Sequence, residues 1–164
     1  MAGDPVGGDA GERTPRGDEV RVAAFADLPV ETAYRLWALR SRVFVVEQDC
    51  PYLDLDGRDT NPAARHLWVE RGGEPVATLR LLDEGGVLRI GRVATLAEHR
   101  GAGLAAALVE AALAVAGERD VVLDAQSHLA DWYTRFGFEP NGRGFLEDGI
   151  PHTPMRRSGR HPAR

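Results

Sequence analysis

The apolar stretch at residues 104–116 (LAAALVEAALAVA) restricts the fold more than any other part of this sequence. It is too short to cross a membrane and predicts instead a helix packed into a core. Gly117 suits the end of such a helix, because glycine readily takes the left-handed conformation found there. Strand-like segments flank the helix at 87–94 and 120–125. A strand–helix–strand unit of this kind requires its two strands to run parallel.

Antiparallel strands are predicted ahead of this unit. A first strand is expected at 20–25, and segments 66–70, 75–82 and 87–94 follow as consecutive strands with glycine-rich turns between them. Short turns of this type join antiparallel neighbours. The sheet should therefore be mixed and mostly antiparallel.

A helix is predicted between the first two strands. Asp27 is expected to cap it, with Pro29 in its first turn. Apolar residues then recur at three- and four-residue spacing as far as Phe44, which is helical periodicity. Arg40 falls on the same face, where either its aliphatic stem packs with the apolar residues or its guanidinium belongs to the functional site. A loop rich in Pro, Asp and Gly follows at 49–63.

The C-terminal part should complete the sheet. Residues 128–136 are predicted to form a short helix, and 143–156 one or two closing strands with Gly149 and Pro151 at their turn. The whole order predicts an α/β (α+β) fold in which helices flank a central mixed sheet.

Composition describes one globular domain with a net charge of −5, which gives no global field to attract nucleic acid. Residues 1–18 are expected to be a disordered leader, 19–157 the folded domain, and 158–164 a flexible basic tail. We expect neither a membrane span nor a signal peptide. Cys50 is the single cysteine, which excludes an internal disulfide and a multi-cysteine metal site and makes the reducing cytoplasm the expected location.

The segment at 92–105 (RVATLAEHRGAGLA) carries the strongest chemical signal. A strand ends near Ala94, and Gly101 and Gly103 then open the apolar helix. Glycines let backbone N–H groups approach a ligand, and the helix start adds unpaired donors and a positive dipole end. Arg100 adds a full charge. The pattern predicts a site for a pyrophosphate-like anion, and the alternative is a glycine-rich turn that only begins a helix.

This loop resembles the acetyl-CoA motif of the GCN5-related N-acetyltransferase (GNAT) superfamily. The resemblance covers Arg100, Gly101, Ala102, Gly103, Leu104 and Ala105. The run 126–138 (QSHLADWYTRFGF) is similar to the last helix of that superfamily, with Tyr133 four residues before a Gly-Phe pair. Segments 40–56, 126–138 and 146–156 resemble its ElaA-like branch.

The resemblance implies the GNAT acyl-CoA N-acyltransferase fold and an N-acetyltransferase activity. Such an enzyme moves an acetyl group from acetyl-CoA, its co-substrate, directly to a primary amine in a ternary complex, without a metal. Strand residues Val93, Ala94 and Thr95 would contact the pantetheine arm, residues 100–105 the pyrophosphate, and Gln126 the pantetheine amides. Relatives often dimerise, so a homodimer is one expected assembly.

The resemblance also implies an acid for the departing thiolate. Tyr133 matches that role, because a phenol with a pKa near ~10 can protonate a thiolate. Glu47 is the first candidate for the general base, with His66 and His128 as weaker ones. Amine that is already neutral would need no dedicated base.

Several alternatives stay open at this stage. The chain could be a non-catalytic acyl-CoA-binding sensor of the same fold, or an acyl-homoserine-lactone synthase, a family with a stretch similar to the one at Arg40. An acidic cluster, formed by Asp54, Asp56 and Asp59, either shapes a turn or attracts a cationic amine. A nucleophilic Cys50 is disfavoured, because no basic residue adjoins it in the sequence.

Overall fold

The computed structural model describes residues 18–160, so the predicted leader up to residue 17 and the end of the predicted tail lie outside the described residues. Within this range one sheet of eight strands is flanked by three α-helices. The strands are β1 (Val20–Ala23), β2 (Arg65–Arg71), β3 (Glu74–Asp83), β4 (Leu88–Thr95), β5 (Val121–Gln126), β6 (Glu139–Pro140), β7 (Phe145–Glu147) and β8 (Ile150–Arg157). The helices are α1 (Val30–Arg40), α2 (Leu104–Ala116) and α3 (Ala130–Thr134).

The sheet has the strand order β1-β2-β3-β4-β5-β8-β6, and β7 pairs with β8. All its neighbours are antiparallel except β4 and β5, which run parallel on either side of the connection through α2. The expected mixed, mostly antiparallel sheet with flanking helices is therefore confirmed.

Helix α2 and strand β3 form the centre of the core. All eight residues of β3 from 75 to 82 are buried. Leu104, Leu108 and Val109 of α2 are almost inaccessible to solvent. Gly103 begins the helix at φ +79°, and Gly117 ends it with its N–H donating to Leu113 O at 3.1 Å. The apolar stretch thus forms the buried helix that its composition predicts.

Several local expectations were wrong. Asp27 does not cap α1 but lies in a separate 3₁₀ turn, Phe25–Asp27, and Pro29 occupies the N-cap position. The chain after α1 continues as a π-helical segment, Ser41–Glu47, where ordinary α-helical winding was expected. Pro151 lies inside β8 rather than at its turn.

The parallel pair β4 and β5 separates soon after it forms. Its register holds only Leu88 with Val121 and Arg89 with Val122. Farther along, β4 pairs with β3 alone and β5 with β8 alone, as far as Thr95 and Gln126. The two strands therefore splay apart and leave a cleft between the halves of the sheet.

Candidate active site

A cleft of about 560 Å³ lies where β4 and β5 separate. Of the residues expected at the site, Val93, Gln126 and Tyr133 line it. His66 and His128 do not. The lining also includes residues that the sequence did not single out for the site: Phe44, Gln48, Tyr52, Arg80, Arg92, Glu147, Asp148 and His152. They come from the π-helical segment, the loop after it, β3, β4 and the β7–β8 hairpin.

The loop before α2 offers a row of backbone donors. No backbone carbonyl of residues 18–160 accepts a hydrogen bond from the N–H groups of residues 101–106. Gly101 and Gly103 have φ of +78° and +79°, a conformation that costs a residue with a Cβ about 1–2 kcal/mol. A Cβ added at Gly101 would meet no atom within 4 Å, so space is open over the loop. Free N–H groups at the start of a helix, beneath open space, fit a diphosphate.

Arg100 connects this loop to the segment after α1. Its Nε donates to Thr95 O at 3.1 Å, and its Nη2 donates to Glu47 Oε2 at 2.6 Å. The two side chains are 46% and 39% exposed, so the ion pair adds only about 0–1 kcal/mol to stability. Glu47 does not line the cleft. Its role as a general base stays a prediction.

Tyr133 lies at the base of the cleft with only 6% of its surface exposed. Its ring packs edge-on against Trp132 and Phe138, with centroid distances of 4.9 and 6.1 Å. Burial raises the pKa of this phenol to about 12. Tyr133 therefore keeps its proton across the physiological pH range, as a proton donor must.

A second group of lining residues belongs to an Arg–Asp network, which consists of Arg40, Arg80, Arg92, Asp54, Asp56 and Asp59. Arg40 is 1% exposed and donates to Asp54 Oδ2 at 2.9 Å and to Asp59 Oδ1 at 2.7 Å. Arg80 donates to both carboxylate oxygens of Asp56, at 2.9 and 2.7 Å. Bidentate pairs of this kind fix geometry as well as charge. The network fastens the loop at 49–63 onto β3 and β4.

The pKa values of the carboxyl groups reflect this pairing. The Arg80 hydrogen bonds hold the pKa of Asp56 well below its usual range. Burial alone would raise the pKa of Asp59. The hydrogen bonds and charges of Arg40 and Arg80 outweigh this effect, so the pKa of Asp59 is lowered. His66 lies beneath the network, 1% exposed, with Nε2 3.0 Å from Asp59 O, and burial lowers its pKa.

The charges around the cleft are balanced except at one place. Five arginines and five carboxylates at or beneath the cleft pair with one another: Arg40, Arg58, Arg80, Arg89 and Arg92 with Asp54, Asp56, Asp59, Glu84 and Asp124. Among the described residues, Glu147 and Asp148 pair with no arginine, and Glu147 Oε2 only approaches His152 Nε2 at 4.0 Å. The uncompensated negative charge therefore lies at the β7–β8 turn.

His152 and Cys50 complete the titratable lining. His152 Nδ1 lies 2.8 Å from Ile150 O. Because a carbonyl oxygen only accepts, Nδ1 carries the proton and a neutral ring would leave the Nε2 lone pair available. Cys50 is buried, and its thiol donates to Gln48 O at 3.4 Å.

Nowhere in residues 18–160 do three or more His, Cys, Asp or Glu side chains group as metal ligands would. In the same part of the chain, no helix has both the length and the apolar character needed to span a bilayer.

Comparison with known proteins agrees with this geometry. The family described as "Acetyltransferase (GNAT) domain" matches residues 42–158. A UPF0039 protein of Mycobacterium tuberculosis is 49% identical over 138 residues, which cover 81% of this chain and 88% of that protein. Protein ElaA of Escherichia coli is 39% identical over 139 residues, which cover 80% of this chain and 91% of ElaA.

Solved structures show the same fold. An acyl-CoA N-acyltransferase from Pseudomonas aeruginosa is similar with a TM-score of 0.83 and 42% identity, covering 86% of this chain and 99% of that one. The crystal structure of E. coli ElaA gives a TM-score of 0.82 and 36% identity over 86% of this chain and 99% of ElaA. The chain therefore has the acyl-CoA N-acyltransferase fold and belongs to the GNAT superfamily. Within that superfamily it belongs to the ElaA-like branch.

Proposed function

We propose that this protein is an acetyl-CoA-dependent N-acetyltransferase that acetylates a primary amine directly, in a ternary complex. The observation that carries the proposal is a buried phenol, Tyr133, which lines the cleft between the splayed strands and whose pKa burial raises to about 12. The reaction forms a C–N bond and breaks the C–S bond of the thioester, so the departing thiolate needs a proton. Tyr133 is the group that supplies it.

Acetyl-CoA fits the chain at three points. The N–H groups of residues 101–106, with Arg100 beside them, suit its diphosphate. The open edge of β4 at 93–95 suits the pantetheine arm, since β5 has moved away from it. Gln126 lines the cleft from β5 and offers an amide to the same arm. When bound, acetyl-CoA supplies the activated acetyl group.

The backbone of β4 also has a role in the chemistry. An N–H group near Val93, aimed at the thioester carbonyl, would polarise it as an oxyanion-hole donor does. The loss of one such donor typically costs about 10²–10³ in rate.

Two side chains are candidates for the general base. Glu47 is the candidate from the sequence, but its carboxylate is engaged by Arg100 and lies outside the cleft lining. His152 lines the cleft with its Nδ1 proton held by Ile150 O, which leaves Nε2 as the acceptor. This arrangement favours His152.

The lone, buried Cys50 is in keeping with our expectation of a cytoplasmic protein.

Incubation with acetyl-CoA and a panel of primary amines tests the proposal. We expect amine-dependent release of free CoA and an acetylated amine, identified by mass spectrometry, and about 10² or more less of both with Tyr133→Phe. Tight binding of acetyl-CoA with no product from any amine would instead make the protein a non-catalytic acyl-CoA sensor.

A further inference from the structure

Arg92 occupies a backbone conformation that its residue type disfavours. In the pairing of β3 with β4, Arg80 faces Gly91 and Thr78 faces Ala94, so Arg92 and Val93 together lie opposite one residue of β3. This is a β-bulge, and Arg92 in it has φ +52°. Residues with a Cβ rarely take a left-handed conformation inside a strand, so other contacts must hold the bulge in place.

The side chain of Arg92 provides those contacts. Its Nη2 donates to Asp54 O at 3.1 Å and to Asp56 Oδ2 at 3.4 Å. Its Nε lies 2.7 Å from Asp54 Oδ1, an ion pair whose angle falls outside hydrogen-bond geometry. The guanidinium also lies over the ring of Tyr52, 5.5 Å from its centroid. Arg92 is therefore fastened to the loop at 49–63, through the backbone carbonyl of Asp54 and the carboxylates of Asp54 and Asp56.

The groups that receive Arg92 are themselves fixed. Arg40 donates to the side chain and the carbonyl of Asp54, and Arg80 holds Asp56 in a bidentate pair. Because Arg40 and Arg80 are 1% and 4% exposed, this support is buried and firm. The bulge of β4 is thus tied to a rigid part of the molecule.

The bulge lies at a sensitive point of the cleft. Gly91 and both residues of the bulge, Arg92 and Val93, line the cleft, and β5 no longer pairs with β4 beyond Arg89. With no strand on that side, the direction of the β4 backbone at 91–93 depends on β3 and on Arg92. A change at Arg92 would turn the Val93 peptide.

We propose that Arg92 is a positioning residue, whose attachment to Asp54 holds the β4 bulge and so aims the β4 backbone at the thioester carbonyl. The inference rests on the proposed acetyltransferase function. Arg92 acts as a tether between the loop at 49–63 and β4, and its charge is already neutralised by Asp54 and Asp56. Removing the tether should slow the chemical step and change acetyl-CoA affinity little, because the diphosphate contacts at residues 101–106 and the contact of Gln126 stay in place.

Arg92→Gly is the variant that separates these roles, since glycine accepts φ +52° but cannot reach Asp54. We expect kcat to fall by about 10–10²-fold, as a displaced catalytic group produces, with the Kd for acetyl-CoA within about twofold. Asp49→Gly is the matched control, because Asp49 also has a left-handed φ of +51° but is exposed and outside the cleft lining. It should leave kcat unchanged.

Added guanidinium, at tens of millimolar, distinguishes a tether from a charge. It can pair with the vacated Asp54 but cannot hold the backbone, so we expect no recovery of kcat in Arg92→Gly. Recovery would overturn the inference and make Arg92 an electrostatic group. If Arg92→Gly does not fold, Arg92→Lys serves, because lysine keeps the charge but cannot reproduce the forked contacts.

A measurement without turnover tests the tether separately. Hydrogen–deuterium exchange of the peptide covering residues 88–95 should be faster in Arg92→Gly than in the wild type or in Asp49→Gly. Unchanged exchange would overturn the inference even if the wild type proved inactive. Faster exchange with an inactive wild type would support the tether while refuting the proposed function.

Discussion

Arg100 and Glu47 form an ion pair, with 2.6 Å between Nη2 and Oε2, that joins the loop before α2 to the end of the π-helical segment. The residue that the sequence predicts as the general base therefore faces a cation at the edge of the proposed acetyl-CoA site. His152, in contrast, lines the cleft itself. Substitutions of Glu47 and of His152 should affect the reaction rate differently, which separates these two candidates for the general base.

The first prediction concerns the base. We expect His152→Gln to lower kcat/KM by about 10²-fold or more, because the proton acceptor is lost. Glu47→Gln should leave kcat/KM near the wild-type value and change the free energy of unfolding by less than about 1 kcal/mol, since the pair is exposed. The reverse pattern, with kcat/KM lowered only in Glu47→Gln, would make Glu47 the base.

The second prediction concerns Tyr133. Tyr133→Phe retains the ring that packs against Trp132 and Phe138, so the fold and the Kd for acetyl-CoA should change little. The value of kcat should fall by about 10²–10⁴-fold. Because burial raises the pKa of Tyr133 to about 12, kcat of the wild type should show no loss from its ionisation between pH 8 and about 10. Tyr34→Phe, at a tyrosine that is 76% exposed, is the control and should behave as wild type.

The third prediction concerns acid stability. Arg80 lowers the pKa of Asp56 below its ordinary value of 3.8, so the unfolded chain binds this proton more readily than the folded one. The stabilisation is present above that unfolded value and is lost as the pH falls below it. Asp56→Asn should therefore reduce the free energy of unfolding by about 1–3 kcal/mol at pH 7 and flatten its decline between pH 5 and 3.

Urea unfolding at a series of pH values measures this effect. Asp49→Asn is the control, because the exposed Asp49 forms no ion pair within residues 18–160. Parallel pH curves for wild type and Asp56→Asn would show that the pair with Arg80 does not stabilise the fold.

The fourth prediction concerns the acceptor amine. The acidic cluster of the loop is neutralised by arginines, so attraction of a cationic amine should come from Glu147 and Asp148. In a double variant, Glu147→Gln with Asp148→Asn, the KM of a diamine should rise about threefold at low salt, and less at high salt. Asp56→Asn should leave that KM unchanged. A larger effect from Asp56→Asn would return the acceptor site to the loop.

Much of the fold follows from local patterns in the sequence. The four β strands before α2, the helix itself and the glycine loop all depend on alternation, apolar spacing and positive-φ glycines, which are local signals. The two-residue strand β6 gives no such signal, since Glu139 and Pro140 become a strand only by pairing with β8. The π-helical segment was missed because its apolar residues keep helical spacing while the hydrogen-bond register changes.

The site was harder to predict than the fold. Arg40 pairs with Asp59 across 19 residues, and Arg92 with Asp54 across 38. Sequence spacing shows that charged residues are present but not which of them meet. His152 enters the cleft because β8 pairs with β5 beside Gln126, a contact that depends on the whole sheet. From the sequence, the acidic loop could therefore be read as a site that attracts the substrate. In the structure, arginines from other elements neutralise its carboxylates.

Calorimetric titration of acetyl-CoA tests the central claim most directly. Gly101→Glu puts a bulky anion into the open space over the loop before α2. Gly73→Glu, on the β2–β3 hairpin, is the control, because Gly73 has a φ of +79° against +78° for Gly101 and equally open surroundings. We predict micromolar binding to the wild type and to Gly73→Glu, and none to Gly101→Glu. Equal binding to all three proteins, or none to the wild type, would contradict the assignment of the acetyl-CoA site.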